Sequence, residues 1–246
     1  MKASEKVVLI TGAARRVGAA IARHLAARGC HLVLHYRRSR TEAEALAAAL
    51  REQYGRECLL VEGDLTDASF PAELIAAGLA HFGRLDGLVN NASIYQAAPF
   101  AQITLEDWQH MEAIHLRAPL FLTQAAVPHL RQSQGAVVNI GDIHGEIPLR
   151  SYLPYSVSKA GLLALTRSLA KELGPEIRVN SVSPGVVLWA ENQDPPDGDK
   201  QALLERNALK RVGDPQDIAA AVAYLLFDAH YTTGHNLVVD GGRMLY

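Results

Sequence analysis

The chain has 246 residues, of which 49% are hydrophobic and 20% charged, and its net charge is −2. This composition fits one large α/β domain, and the small net charge without a basic block argues against nucleic acid or a membrane surface as a partner. No apolar stretch is long enough for a signal sequence or a membrane span. With two cysteines that lack metal-ligand spacing, Cys30 and Cys58, we expect a cytoplasmic protein with free thiols and no metal site.

The N-terminal part of the chain has the pattern of a dinucleotide-binding unit. A continuous apolar run, Val7–Ile10, predicts a strand that is buried on both faces. The glycine-rich turn TGAARRVG at 11–18 follows, and a helix is predicted over 19–28. Gly12 permits a sharp turn, Gly18 permits close packing of helix and strand, and the helix N-terminus offers N–H groups to a pyrophosphate.

The second predicted strand, His31–Tyr36, suggests which nicotinamide cofactor is used. Chains that bind NAD usually end this strand with an acid, which bonds the ribose 2′-hydroxyl. Here the strand ends in HYRRS at 35–39, without an acid. The guanidinium groups of Arg37 and Arg38 suit a 2′-phosphate, so NADPH is expected rather than NADH.

The next unit is a helix over 41–54, a strand over 58–62 and a helix over 67–82. Asp64 follows the strand directly. Its carboxylate has two interpretations: a bond to the adenine amino group, or a cap on the helix that begins near Asp67.

The fourth predicted strand, 85–90, ends in NNAS at 90–93. Paired asparagines after a strand bond neighbouring backbone and stiffen the turn. The segment 104–131 then reads as one long helix or two abutting helices, with Pro119 and Pro128 marking adjustments.

A fifth strand over 135–140 ends beside Asp142, at the edge where open parallel sheets bind ligands. In the next predicted helix, 154–174, Tyr155 and Lys159 are four residues apart and share one face. A nearby ammonium group lowers the pKa of a phenol, so the pair predicts a tyrosine that exchanges protons near neutral pH.

The C-terminal part completes a single domain without internal repeats. A strand is predicted over 177–182, followed by a Pro-Gly turn at 184–185. The polar, proline-containing segment 186–208 is interpreted as a lid over the site. A helix over 214–228 and a last strand over 236–239 follow.

In order and spacing, the motifs at 11–18, 64, 90–93, 155–159 (YSVSK), 184–185 and 239–242 (VDGG) resemble those of the short-chain dehydrogenase/reductase family. The resemblance covers essentially the whole chain. It implies a Rossmann-like, doubly wound, seven-stranded parallel sheet in one domain, and usually a homotetramer or dimer. It also implies that Tyr155 is the acid/base and that Lys159 lowers its pKa and binds the nicotinamide ribose. The residues expected at the cofactor are Gly12, Arg15, Arg16, Val17, His35, Tyr36, Arg37, Arg38, Ser39, Asp64, Leu65, Asn91, Ala92, Ser93, Lys159, Pro184 and Gly185.

Three departures from the family pattern narrow the resemblance. Arg16 replaces the middle glycine of the turn, Asp142 replaces the catalytic serine, and His115 replaces the asparagine of the catalytic group. The first two, with HYRRS, resemble the pteridine reductase branch. That resemblance implies that Arg16 faces the cofactor phosphates and the pterin, that Asp142 assists protonation beside Tyr155, and that Tyr95 stacks on the pterin ring. Ser93 and Trp189 complete the expected substrate site, and Trp189 has two interpretations, lining the pocket or anchoring the lid.

Three functions follow, and they stay open at this point. The first is NADPH-dependent reduction of dihydropterins or dihydrofolate, with Tyr155 and Asp142 supplying the proton. The second is reduction of a ketone in a 3-oxoacyl thioester, sugar or quinone, against which the missing serine argues. The third is NADPH binding by a regulator without catalysis. His115 has two interpretations, a satisfied core histidine or a member of a proton relay.

Overall fold

A computed structural model describes residues 6–187 and 204–246 and contains a seven-stranded sheet in which every neighbouring pair is parallel. The strand order is β3-β2-β1-β4-β5-β6-β7. This confirms the predicted Rossmann-like, single-domain α/β fold. The strands are β1 Val7–Ile10, β2 His31–Tyr36, β3 Cys58–Glu62, β4 Gly87–Asn90, β5 Ala136–Ile140, β6 Arg178–Pro184 and β7 Asn236–Val239.

Helices cover both faces of this sheet, which is why a strand such as β1 (VVLI) is a continuous apolar run rather than an alternating one. On β1, Val8 and Ile10 join one apolar cluster, and Val7 and Leu9 join the cluster on the opposite face. Helices 16–27, 40–54 and 215–227 contribute to the first cluster, and helices 70–82, 118–133 and 153–173 contribute to the second. The helices are α1 Arg16–Ala27, α2 Arg40–Tyr54, α3 Phe70–Phe82, α4 Leu105–Glu112, α5 Ala118–Ser133, α6 Leu153–Leu173 and α7 Pro215–Phe227.

Two helix starts differ from the prediction by three residues. Helix α1 begins at Arg16, three residues before the predicted start at 19. Helix α3 begins at Phe70 instead of 67. There the Asp67 carboxylate accepts bonds from the backbone N–H and the hydroxyl of Ser69, which forms a local turn that delays the helix.

The predicted helical segment 104–131 is two helices joined by a π-helical turn, Ala113–Arg117. Pro119 lies in the first turn of α5, where no intrahelical N–H bond is needed. The π-helical turn carries His115, and such turns are frequent at functional sites.

The sheet creates a crevice where its winding reverses, because β1 pairs with β2 on one side and with β4 on the other. The loops after these strands diverge at the carboxyl edge of the sheet. Most of the predicted lid lies outside the described residues, since 188–203 are not among them. Within the described ranges, no helix combines the length and the hydropathy that a membrane span requires.

Candidate active site

A cleft of about 790 Å³ lies at the carboxyl edge of the sheet. Every residue predicted at the cofactor or the substrate lines this cleft, except Trp189, which lies outside the described residues. The cleft is also lined by residues that the sequence patterns did not single out. Among these are Thr66, Ile94, Ile143, His144, Leu149 and Arg243.

Hydrogen bonds from the Asn91 side chain join the loop after β4 to the glycine-rich turn. The side-chain amide of Asn91 donates to the carbonyl oxygens of Thr11 and Gly12 at 2.8 and 3.0 Å. Gly12 has a φ of +62°, and a Cβ there would approach Cα of Ala92 to 3.0 Å. A Cβ at Gly18 would overlap the Gly12 carbonyl oxygen. The turn therefore requires glycine at both positions, and Asn91 acts by holding its shape.

Arg16 is the first residue of α1 and has a φ of +53°, in the left-handed region that favours glycine. Its side chain is exposed and lines the cleft together with Arg15. A non-glycine residue in this conformation is a form of strain that clusters at functional sites. The structure thus places the guanidinium-bearing residue of the turn at the cleft, as predicted.

Both ring nitrogens of His35, at the end of β2, form hydrogen bonds with backbone groups. Its Nδ1 accepts the Gly12 N–H at 3.2 Å, and its Nε2 lies 3.1 Å from the Gly63 carbonyl oxygen. Nε2 therefore carries the proton. Burial lowers the pKa of His35 to about 4, so the ring is neutral. The His35 ring therefore links Gly12, in the loop after β1, to Gly63, in the loop after β3.

Charged side chains cluster just beyond β2. Arg37 forms an ion pair of 2.8 Å with Asp64, whereas Arg38 is exposed and has no ionic partner among residues 6–187 and 204–246. The phenol of Tyr36 is directed to Glu62 at 3.3 Å. Asp64 accepts bonds from the N–H and hydroxyl of Thr66, so the alternative that it caps α3 is wrong.

At the other end of the cleft, Tyr155 and Asp142 are bonded directly. The Tyr155 hydroxyl donates to Oδ2 of Asp142 at 2.7 Å, and Oδ1 of Asp142 accepts the His144 N–H at 2.7 Å. Lys159 is fully buried, and its ammonium group donates to the Ile140 carbonyl oxygen at 2.9 Å. The three predicted catalytic residues are thus brought together.

The pKa of Tyr155 differs from the sequence-based prediction. Burial and the adjacent Asp142 carboxylate, to which the phenol donates, raise the pKa of Tyr155 well above 10. Burial lowers the pKa of Lys159 to about 8, and Asp142 opposes this shift. The pKa of Tyr155 is therefore raised rather than lowered, opposite to the predicted net shift, and Tyr155 is a neutral phenol.

Two further tyrosines, Tyr95 and Tyr152, lie beside the Tyr155 phenol. The rings of Tyr95 and Tyr152 stack with centroids 4.5 Å apart, and Tyr95 meets the Tyr155 ring edge-on at 5.0 Å. Tyr95 remains 41% exposed, which leaves part of the side chain open to a ligand. Tyr152 was missed by the sequence analysis, although its position one turn before Tyr155 was a usable signal.

His115 is buried behind the site. Its Nε2 accepts the Ile94 N–H at 3.3 Å and lies 2.8 Å from the Ser93 hydroxyl, while its Nδ1 lies 2.8 Å from the Ser158 hydroxyl. Burial, and secondarily Lys159, lower the pKa of His115 well below 6.5. The first interpretation, a histidine with both ring nitrogens satisfied, describes this geometry.

A doubly wound sheet, a glycine-rich turn before α1 and a Tyr/Lys pair at the carboxyl edge define a nicotinamide-dependent oxidoreductase. A family model described as "Enoyl-(Acyl carrier protein) reductase" matches residues 12–243. The chain therefore belongs to the short-chain dehydrogenase/reductase family.

Individual relatives cover nearly the full chain. A 3beta-hydroxysteroid dehydrogenase 1 of Eggerthella lenta is 35% identical, with 98% of this chain and 94% of the relative covered. A 3-oxoacyl-[acyl-carrier-protein] reductase of Synechocystis is 34% identical, with 98% of both covered. The crystal structure of a blue fluorescent protein from a metagenomic library in complex with NADPH is 34% identical, covers 99% of both chains and has a TM-score of 0.91.

Proposed function

We propose that the chain is an NADPH-dependent pteridine reductase that converts dihydropterins or dihydrofolate to the tetrahydro form. The observation that carries this proposal is the 2.7 Å bond from the Tyr155 hydroxyl to Asp142. A ketone reductase needs a hydroxyl donor beside the tyrosine to polarise the carbonyl oxygen. A carboxylate accepts instead, which suits the ring N–H and amino donors of a pterin.

The residues of the cleft fit a bound NADPH. Because Gly12 and Gly18 have no side chains, the backbone of the turn can approach a ligand closely. The backbone N–H groups at the N-terminus of α1 can bind its phosphate groups. Arg38 and Ser39 line the cleft just after β2, where they can bind the 2′-phosphate of the cofactor. Arg37 adds a second guanidinium group, which its ion pair with Asp64 orients. These cationic groups, and the absence of an acid at the end of β2, support NADPH as the cofactor.

Tyr155 is the proton donor in this proposal. When bound, the reduced nicotinamide supplies the hydride that the ring carbon of the pterin C=N bond receives. In this step the Tyr155 hydroxyl turns from Asp142 to the ring nitrogen and gives that nitrogen its proton; the raised pKa of Tyr155 keeps it a phenol until that moment. A proton from solvent in the open cleft then passes through Asp142, which is hydrogen-bonded to the same oxygen at 2.7 Å, and restores the phenol.

Lys159 and Tyr95 position the reactants. An ammonium group has three N–H donors, of which the Ile140 carbonyl takes one, so the others are available to the nicotinamide ribose. The aromatic pair of Tyr95 and Tyr152 offers a flat surface beside Tyr155, against which a pterin ring stacks. The family resemblance also makes a homotetramer our expected assembly.

A second candidate is a ketone reductase. The 3-oxoacyl reductase and hydroxysteroid dehydrogenase among the relatives favour it, because both are named for activity at an oxygen-bearing carbon. Asp142 is the feature that separates the two candidates.

Oxidation of NADPH, followed by absorbance, tests the proposal. We expect turnover with dihydrobiopterin, dihydromonapterin or dihydrofolate, and none with a 3-oxoacyl thioester, a sugar or a quinone. Turnover of the ketones with all pterins inert would select the second candidate.

A further inference from the structure

The π-helical turn places an imidazole between two parts of the active site that are distant in sequence. His115 is 1% exposed. On one side, its Nε2 contacts Ser93 and Ile94 in the loop after β4, and on the other its Nδ1 contacts Ser158 in α6. The next bond runs from the Ser158 hydroxyl to the backbone carbonyl oxygen of Tyr155 at 2.7 Å.

The directions of these bonds define the proton position on the ring. The Ile94 backbone N–H can only donate, so Nε2 is unprotonated and the proton is on Nδ1. Nδ1–H then donates to the Ser158 hydroxyl, which donates to the Tyr155 carbonyl oxygen. The Ser93 hydroxyl donates to Nε2. One tautomer thus satisfies every bond, and no water is needed to complete the chain.

This chain of bonds connects the two aromatic partners of the site. Ser93 and Ile94 precede Tyr95, whose ring meets Tyr155. The His115 ring contacts Tyr155 edge-on as well, with centroids 5.6 Å apart. The orientation of the phenol is therefore set from the loop side and from the helix side through the same imidazole.

We propose that His115, as its Nδ1–H tautomer, is a positioning residue that holds the Tyr155 phenol in register with the Ser93–Tyr95 loop. The proposal rests on the proposed function only in taking Tyr155 as the proton donor. It does not depend on whether the substrate is a pterin or a ketone.

A double-mutant cycle tests whether His115 acts through Ser158. His115→Leu removes all the ring bonds, and we expect kcat to fall roughly 100-fold, because misplacement by about 1 Å has effects of that size. Ser158→Ala is expected to lower kcat about 10-fold. Because the two residues form one chain, the double variant should be no slower than His115→Leu alone. His115→Gln, which can donate and accept along the same line, should recover part of the loss.

His129→Leu is the matched control, since this histidine lies on α5 and is outside the cleft. It should leave kcat unchanged. Additive losses in the double variant, or a His115→Leu enzyme as fast as the control, would overturn the proposal. If His115→Leu does not fold, the Ser158→Ala rate and the tautomer remain as tests.

Nitrogen-15 NMR of the wild-type protein reads the tautomer without any turnover. We expect a protonated, pyrrole-type Nδ1 and an unprotonated, pyridine-type Nε2 at neutral pH. The reverse assignment would overturn the proposal. Kinetics are measured with whichever substrate the wild-type enzyme reduces, so ketone turnover with inert pterins would reject the proposed function while still testing His115.

Discussion

The two ends of the cleft use polar side chains in different ways. At the cofactor end, Asn91 and His35 bond the backbone and leave little free to a ligand. At the reacting end, Tyr155 bonds another side chain, Asp142. Lys159 lies beside them, below the Tyr155 ring at 5.7 Å.

The side chains at the cofactor end thus maintain the shape of the cleft, whereas those at the reacting end take part in the chemistry. The cofactor end depends on main-chain conformation, which glycine and local hydrogen bonds determine. The reacting end depends on the mutual influence of buried titratable groups, and replacing one of them changes the others. We therefore expect substitutions at the reacting end to affect turnover, and those at the cofactor end to affect stability and cofactor selectivity.

The largest effect is expected at the reacting end. Tyr155→Phe retains the ring packing against Tyr95 and His115 but removes the proton donor. We expect kcat to fall about 1,000-fold, within the range for loss of a general acid, while the NADPH dissociation constant measured by fluorescence stays unchanged. The exposed Tyr231 provides the control Tyr231→Phe, which should be fully active. Equal turnover in wild type and Tyr155→Phe would remove Tyr155 from the mechanism, and a wild type that binds NADPH but turns over nothing would favour the regulator.

At the cofactor end, His35 should make stability dependent on pH. Its folded pKa of about 4 is below the ordinary value of 6.5, so the unfolded chain takes up a proton first as the pH falls. The stability is fully present above 6.5 and is lost as the pH falls toward 4. Between pH 7 and 4.5 we expect a loss of about 2 to 3 kcal/mol from this residue.

Urea unfolding at the two pH values measures this loss. His35→Gln should be less stable at pH 7 but should show a smaller decrease on acidification, whereas His129→Gln should behave as wild type. An unchanged pH dependence in His35→Gln would mean that the imidazole is not held neutral by the fold.

A smaller effect is expected at the selectivity residues. Arg38→Ala should raise KM for NADPH about 10-fold and leave KM for NADH unchanged, since only the 2′-phosphate distinguishes the two. Arg23 on α1 is exposed and outside the cleft, so Arg23→Ala serves as the control. Equal changes for both cofactors in Arg38→Ala would show that Arg38 does not read the phosphate.

The strands were the most predictable part of the fold. The predicted bounds of β1, β2, β3 and β7 are those of the structure, because each is a short segment rich in apolar residues between turn or polar residues. The start of α3 was wrong because side-chain bonds in the turn at Asp67 and Ser69 compete with the helix. Two abutting helices over 104–131 were one of the two predicted arrangements, but helical periodicity did not show the π-helical turn at 113–117 that joins them.

The membership of the site was predictable, but its electrostatics were not. Motif order placed Asp142, Tyr155 and Lys159 at one sheet edge, and the structure brings them together. The direction of the Tyr155 pKa shift depends on burial and on which oxygen the phenol bonds, and both are tertiary properties. Neither is encoded in the four-residue spacing of Tyr155 and Lys159.

The most direct test of the account compares wild type with Asp142→Ser, using kcat/KM for dihydropterins and for a ketone panel. We predict that wild type favours pterins and that the serine variant loses about 100-fold or more on pterins while gaining ketone turnover. A wild type that prefers ketones, or a serine variant that reduces pterins as fast as wild type, would contradict it.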